Sequence, residues 1–189
     1  MILESLVSTL DPEGRPNFAP MGVAWGENEI VLKPYRETTT FRNVVATGEA
    51  VVNLVDDVLL FVKSALGSPS FPARPAVVVR GVVLEAACSW RELRVRESET
   101  NEPRARFVCD VVHRGVNREF LGFSRARGAV IEATILATRT RILPIDEVLA
   151  EYRRLQVIVD KTAGPVEREA MVMLSEFVRA EAAALEGEA

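Results

Sequence analysis

Residues 1–32 read MILESLVSTLDPEGRPNFAPMGVAWGENEIVL, and this stretch decides the fold class. Met1 to Leu10 is mostly apolar with Ser and Glu interspersed, consistent with a first strand. Asp11-Pro12-Glu13-Gly14 is a turn signal, with Pro and Gly at turn-compatible positions. Asn17 to Trp25 reads as a second strand, Gly26-Glu27-Asn28-Glu29 as a second turn, and Glu29 to Leu32 as a third strand. Three short strands joined by tight turns predict an antiparallel meander.

Downstream, Thr38 to Thr47 reads as a short helix that a threonine caps and Gly48 ends. Ala50 to Val55 is apolar and β-branched, hence a buried strand. Asp56 and Asp57 stand where a helix start prefers acids, and Val58 to Leu66 continues helically to Gly67. Gly67 to Pro75 is a loop by composition. Ala76 to Ala87 is another β-branched run and predicts a strand. Trp90 to Pro103 is highly charged and reads as irregular, with a short strand at Leu93 to Val95, and Arg106 to Val112 is a further strand. From Ser124 the periodicity becomes helical: Ala126 to Arg139, then Ile145 to Lys161 after Pro144, then Val166 to Leu185 after Pro165. Strands first and helices last is an α+β order. It divides the chain into residues 1–123 and a C-terminal helical subdomain, 124–189, whose Ala/Glu-rich last residues are expected to fray.

The formal net charge of −4 argues against nucleic acid or an anionic membrane surface as partner. No apolar run has spanning length, and the first residues lack a basic-then-apolar leader, so the expected location is cytoplasmic. Cys88 and Cys109 are the only cysteines, read as two buried reduced thiols rather than a disulfide. With the single histidine, His113, they make no recognisable metal site. No nucleophile–base constellation is legible, so no catalytic side chain is assigned.

Two segments carry candidate chemistry. Tyr35, Arg36, Thr38, Thr40 and Asn43 cluster hydroxyls, a guanidinium and an amide at a strand-to-helix turn. They read first as an ordinary helix cap in a polar turn, and alternatively as a phosphate site. Asn17 to Gly22 reads either as an edge strand broken by Pro20 or as a ledge along which a planar ring lies. Asn53, inside an apolar strand, bonds either backbone or a ligand edge. Asp56-Asp57 reads as a cap and Glu167-Arg168-Glu169 as a solvated helix face. Glu132 and Arg139, with Arg125 and Arg127 ahead of them, make either an ordinary polar face or an anion contact.

The order Asn17-x-Ala19-Pro20-Met21-Gly22, Pro34-Tyr35-x-x-Thr38-x-Thr40-Phe41-x-Asn43, Val52-Asn53 and Asp56-Asp57-x-Leu59-x-Phe61-Val62 resembles the FMN-binding split-barrel proteins. Arg127 to Ala133, Ala137-Thr138-Arg139 and Val159 to Thr162, with Glu167 and Glu169-Ala170, extend the resemblance to a little-characterised, mainly archaeal group of unknown function with a helical tail. The resemblance implies a six-stranded antiparallel Greek-key split barrel with flanking helices. It also implies a homodimer with one FMN per subunit near the interface. Carried over, Thr38, Thr40 and Asn43, helped by Arg36 or Arg42, face the phosphate. Ala19, Pro20, Met21 and Gly22 face the ring, and Asn53 and the helix starting at Asp56 flank the site; apart from the resemblance, Arg125, Arg127 and Arg139 are candidate contacts for an anionic substrate. Phe18 departs from the small residue expected there, and the charged 90–106 segment is a second departure. The implied activity is that of a flavin-reductase-like oxidoreductase drawing on a nicotinamide or another electron donor. A non-catalytic FMN carrier or electron-transfer module is the alternative.

Overall fold

The computed structural model describes residues 1–187, and the Ala/Glu-rich stretch expected to fray is helical as far as Gly187, with 188–189 outside the described residues. The fold is α+β. The strands β1 (Ile2–Leu10), β2 (Pro16–Trp25), β3 (Glu29–Leu32), β4 (Glu49–Leu54), β7 (Ser89–Glu99) and β8 (Arg106–Val116) close into one six-stranded antiparallel barrel, in the order β1-β2-β3-β8-β7-β4. A small hairpin, β5 (Ala73–Pro75) with β6 (Val82–Leu84), stands apart from it. The helices are α1 (Thr39–Thr47), α2 (Val58–Leu66), α3 (Arg125–Ala137), α4 (Ile145–Thr162) and α5 (Pro165–Gly187). The meander expected over residues 1–32 is present: β1 pairs with β2 from Ile2↔Ala24 to Leu10↔Pro16, and β2 with β3 at Ala24↔Val31.

The chain forms two compact units. One comprises Met1–Asp56 with Ser68–Phe120; the other takes Asp57–Gly67 together with the chain from Leu121 onward. A single boundary at residue 123 therefore does not describe the packing, because α2 groups with the C-terminal helices. Val58 and Val62 of α2 share a core with Ala126, Ala129, Val130 and Ala133 of α3, and with Tyr152 and Leu174. The small α3 residues recur at helical spacing, so neighbouring helices approach closely there. The Tyr152 hydroxyl donates to the Ala133 carbonyl at 2.6 Å. Glu167 is not on a solvated face: it is buried, accepts the Gly164 N–H at 2.9 Å and pairs with Arg127 at 3.1 Å. A carboxylate at the start of α5 satisfies an orphan donor and suits the helix dipole.

The barrel core gathers Val7, Val23, Ile30, Leu32, Val52, Leu93, Phe107 and Cys109. Both cysteines are buried free thiols. Burial, seconded by the charge of Asp110, pushes the Cys109 thiol up to about 12.

Two segments differ from their expectation. Ala76 to Ala87 pairs as a strand only over Val82–Leu84. Before that, the N–H groups of Val77, Val78 and Val79 donate to the Glu92 carboxylate at 2.8, 2.6 and 3.1 Å. A buried carboxylate thus replaces the ladder as their acceptor. Residues 89–99, expected to be largely irregular, form a long strand, and several of its arginines pair with carboxylates of other strands. Arg94 meets Glu49, and Arg96 meets both Glu29 and Asp110. Two register shifts, at Glu92/Leu93 and Val95/Glu97, break the period of two that would have revealed it.

Glu92 is fully buried. Burial alone would raise its pKa, but the three backbone donors and the Trp90 indole hold it below the ordinary carboxylate value. A depressed folded-state pKa gives stability that is complete above the unfolded value of about 4.3 and is lost as pH falls through the folded value. Glu92→Gln is expected to lower unfolding free energy by about 1–3 kcal/mol at pH 7. The difference from wild type should shrink below about pH 4, as read by urea denaturation across pH. Neither cysteine is expected to react with a thiol reagent until the protein unfolds, which a timed thiol assay checks.

Candidate functional site

The α1 end of the barrel collects most of the residues singled out in the sequence. Phe41 and Val44 of α1 pack into the barrel core. Two amide–hydroxyl bonds fix the helix to the strands: Asn17 donates to Thr40 Oγ1 at 3.1 Å, and Asn43 donates to Thr9 Oγ1 at 3.1 Å. Thr9, Thr40 and Asn43 are all buried. Thr40 and Asn43 thus face the strands and set the position of α1.

What remains outward is a polar helix start. Thr38 is the N-cap, and its hydroxyl oxygen accepts the Phe41 N–H at 3.2 Å. The same hydroxyl donates to the Tyr35 carbonyl at 2.7 Å. Arg42, exposed, donates to the Glu37 carbonyl at 2.8 Å and to Thr39 Oγ1 at 2.9 Å. Arg36 is exposed and anchored through its backbone, whose N–H donates to the Pro103 carbonyl at 3.1 Å. Thr39 was not singled out from sequence; as the middle member of a Thr-Thr-Thr run it becomes visible only once Arg42 is seen resting on it. Gly48 closes the helix at φ 68°, a left-handed cap that glycine adopts without strain. An oxyanion at the start of α1 would therefore meet first-turn N–H groups, hydroxyls and two guanidinium side chains.

The small-residue segment lies along β2. Met21 contributes to the barrel core. By strand alternation Ala19 shares the inner face, while Pro20 and Gly22 occupy the outer one. All four are half-buried. A Cβ at Gly22 would come within 2.8 Å of Glu4 Oε1 and 2.9 Å of Ile2 Cγ2, so a larger residue there would displace those two β1 side chains. Phe18 is buried against Phe71, ring centroids 5.3 Å apart, and so fills space within the unit.

Asn53 is fully buried, and its amide is spent on the protein. Nδ2 donates to the Leu6 carbonyl at 3.1 Å and to Ser8 Oγ at 3.0 Å, and Oδ1 accepts the Leu84 N–H at 2.9 Å. Of the alternatives left open by the sequence, backbone bonding is the one present. Asp56, also buried, forms a two-pronged ion pair with Arg118, and Asp57 caps α2 by accepting the Leu59 N–H at 3.0 Å. Arg125, Arg127 and Arg139 belong to the helical unit. Arg127 pairs with Glu167. Arg125 opens α3 and Arg139 lies in the turn after it, so the thirteen residues of the helix, about 20 Å of axis, stand between them.

Residues 3–118 match the N-terminal domain model of DUF447, a protein family of unknown function, and residues 124–176 match a second model of the same family. Among solved structures, the chain resembles an FMN-bound DUF447 protein, MM1853 of Methanosarcina mazei. The TM-score is 0.79 and the identity 25%, covering 93% of this chain and 94% of that one. It also resembles the 2-nitrobenzoate 2-nitroreductase NbaA of Pseudomonas fluorescens, at TM-score 0.53 and 18% identity, over 60% of this chain and 64% of that one. An FMN-binding protein of Thermus thermophilus, with bound 1-cyclohex-2-enone, matches at TM-score 0.50 and 19% identity, over 61% of this chain and 70% of that one. These last two likenesses are of fold.

Removing a strand tie or the cap tests how α1 is built. Asn43→Ala leaves the Thr9 hydroxyl buried without its donor and is expected to cost about 1–3 kcal/mol. Thr38→Ala removes the cap and is expected to cost about 0.5–2 kcal/mol. Both are read by urea denaturation.

Proposed function

The chain belongs to the DUF447 family, and from that premise we propose that it is an FMN-binding flavoprotein of flavin-reductase-like type, acting as an oxidoreductase. The observation that carries this reading is the FMN-bound relative, whose fold this chain shares along nearly its whole length. The residues present fit the cofactor. The start of α1 offers a capped, nine-residue helix with exposed Arg36 and Arg42 beside it, donors of the kind a phosphate monoester takes. Along β2, Ala19, Pro20 and Gly22 are small, and the side chains nearest Gly22, those of Ile2 and Glu4, would turn aside for a planar ring.

Arg36 and Arg42, with the N–H groups of the first turn, hold the phosphate in this reading, and Thr38 keeps that helix start capped. Thr40 and Asn43 act one step back, by fixing the helix against β1 and β2. Ala19, Pro20, Met21 and Gly22 form the ring side, and Asn53 stiffens the strand seam behind it. Bound FMN supplies hydride and electron chemistry, so the protein's task is orientation and electrostatics, with no side-chain acid or base required. Arg125, Arg127 and Arg139 remain candidate contacts for a substrate anion. A homodimer with the flavin near the interface completes the reading.

Purified protein is expected to bind FMN with quenching of flavin fluorescence. The double variant Arg36→Ala, Arg42→Ala is expected to lose about 1.5–3 kcal/mol of affinity per hydrogen bond removed from the phosphate. Full affinity in the folded double variant would move the phosphate elsewhere. NADH or NADPH should bleach the bound flavin repeatedly in the presence of an acceptor. Binding without turnover with any donor would favour the carrier. Light scattering is expected to give twice the mass of the chain; a monomer that still holds FMN would exclude the shared-interface arrangement.

A further inference from the structure

α1 sits where β1 ends and β2 begins. At the opposite end of the barrel the β2–β3 turn meets the start of β7 and the end of β8. There Trp25, Gly26, Glu27, Arg91 and Arg114 line an open cleft of about 490 Å³. That size lies within the range of small-molecule sites, and barrel mouths are one of their recurrent places.

Arg91 and Arg114 stand directly opposite each other in the β7–β8 ladder. Like charges at facing positions destabilise a sheet unless an anion neutralises them. Elsewhere on this ladder the chain supplies one: Arg94, Arg96 and Arg106 each meet a carboxylate. Among the described residues, none lies within ion-pair distance of Arg91 or Arg114. Their contacts are with neutral acceptors. Arg91 donates to the Trp90 carbonyl at 2.8 Å and lies over the Trp25 ring, 5.2 Å from its centroid. Arg114 donates to the Glu27 carbonyl and to Asn28 Oδ1, both at 2.6 Å. These bonds fix both guanidinium groups at the mouth without an ion pair; the Glu27 carboxylate lines the same cleft but lies beyond ion-pair distance of both. Burial, and then the charge of Arg114, lowers the pKa of Arg91, the direction expected of a cation lacking its counter-ion.

We propose that this mouth is a binding site for the oxyanion of a small organic molecule, a carboxylate or a phosphate, held between Arg91 and Arg114 with Trp25 as the platform beneath Arg91. A guanidinium fork stacked on an indole is oriented in advance for planar, two-pronged recognition of such a group. The site lies across the barrel from the start of α1. It does not rest on the flavin reading.

The test is titration of the full chain, with and without FMN, by sodium benzoate and by inorganic phosphate at constant ionic strength. Calorimetry gives the affinity. Tryptophan fluorescence gives the location, since the chain has two tryptophans and Trp90 is buried. Saturable binding of at least one anion is expected, and the tighter of the two assigns carboxylate or phosphate. Arg91→Met and Arg114→Met are each expected to weaken it at least about tenfold, the effect of losing one hydrogen bond to a charged group. Arg94→Met, on the same strand but paired with Glu49, should bind as wild type. If Arg91→Met does not fold, Arg114→Met still decides, because that residue is exposed at the rim. Absence of saturable binding by both anions, wild-type affinity in folded Arg114→Met, or abolition of binding by bound FMN would each overturn the proposal.

Discussion

The barrel closes only because β4 pairs with β1 on one side and β7 on the other, and Asn53 is the polar group buried at that seam. Leu6 and Trp90 face it across the two ladders. An amide there has to satisfy donors and acceptors away from water or the strand would be penalised for carrying it. It does so by bridging the Leu6 carbonyl and Ser8 hydroxyl on β1 while accepting the Leu84 N–H from outside. One side chain therefore joins β4 to β1 and ties β6 to the outer face of both. Glu92, next along the same face of β7, does the equivalent for residues 77–79. With that flank of the barrel covered, β2 keeps its half-exposed outer face, and α1 keeps its start open.

Much of this was legible in the sequence, for physical reasons. Residues 1–32 carry turn chemistry at each reversal, so the meander follows from local preference alone. Thr38 and Gly48 bracket α1 because a capping hydroxyl and a left-handed glycine are local requirements of a helix. The misread segments are those where a distant residue overrides local preference. The β-branched run 76–87 predicts a strand, yet a carboxylate from β7 captures its backbone N–H groups. The charged run 90–103 hides a strand because its partners, Glu29, Glu49 and Asp110, come from three other strands. Glu167 looks solvated in sequence, since nothing local shows that Arg127, forty residues earlier, will meet it.

The candidate site follows the same division. Residue types at the α1 turn were legible, but their orientation was not, because helical phase at a short helix depends on what it packs against. Asn17 and Thr9 decide that Thr40 and Asn43 turn inward. The consequence is a division of labour within one eight-residue stretch: buried hydroxyl and amide set the position of the helix, Thr38 caps it, and Arg36 and Arg42 remain exposed. Preorganisation of this kind matters for phosphate binding, since donors already fixed lose little freedom when the ligand arrives.

A net charge of −4 repels anions on average, so any anion this chain binds must be drawn by local concentrations of cations. The barrel places such concentrations at both of its ends, by different means. At α1 the charge is exposed and accompanied by a helix start, which suits a doubly charged group reached from solvent. At the mouth, Arg91 is half-buried against Trp25 and faces Arg114 across a ladder whose other arginines are matched by carboxylates. A surface cation is largely compensated by water and salt, whereas a half-buried cation such as Arg91, facing a like charge, is compensated less. The unmatched pair is therefore the more costly of the two arrangements to the empty protein. It is also the one whose cost a bound anion would relieve most directly.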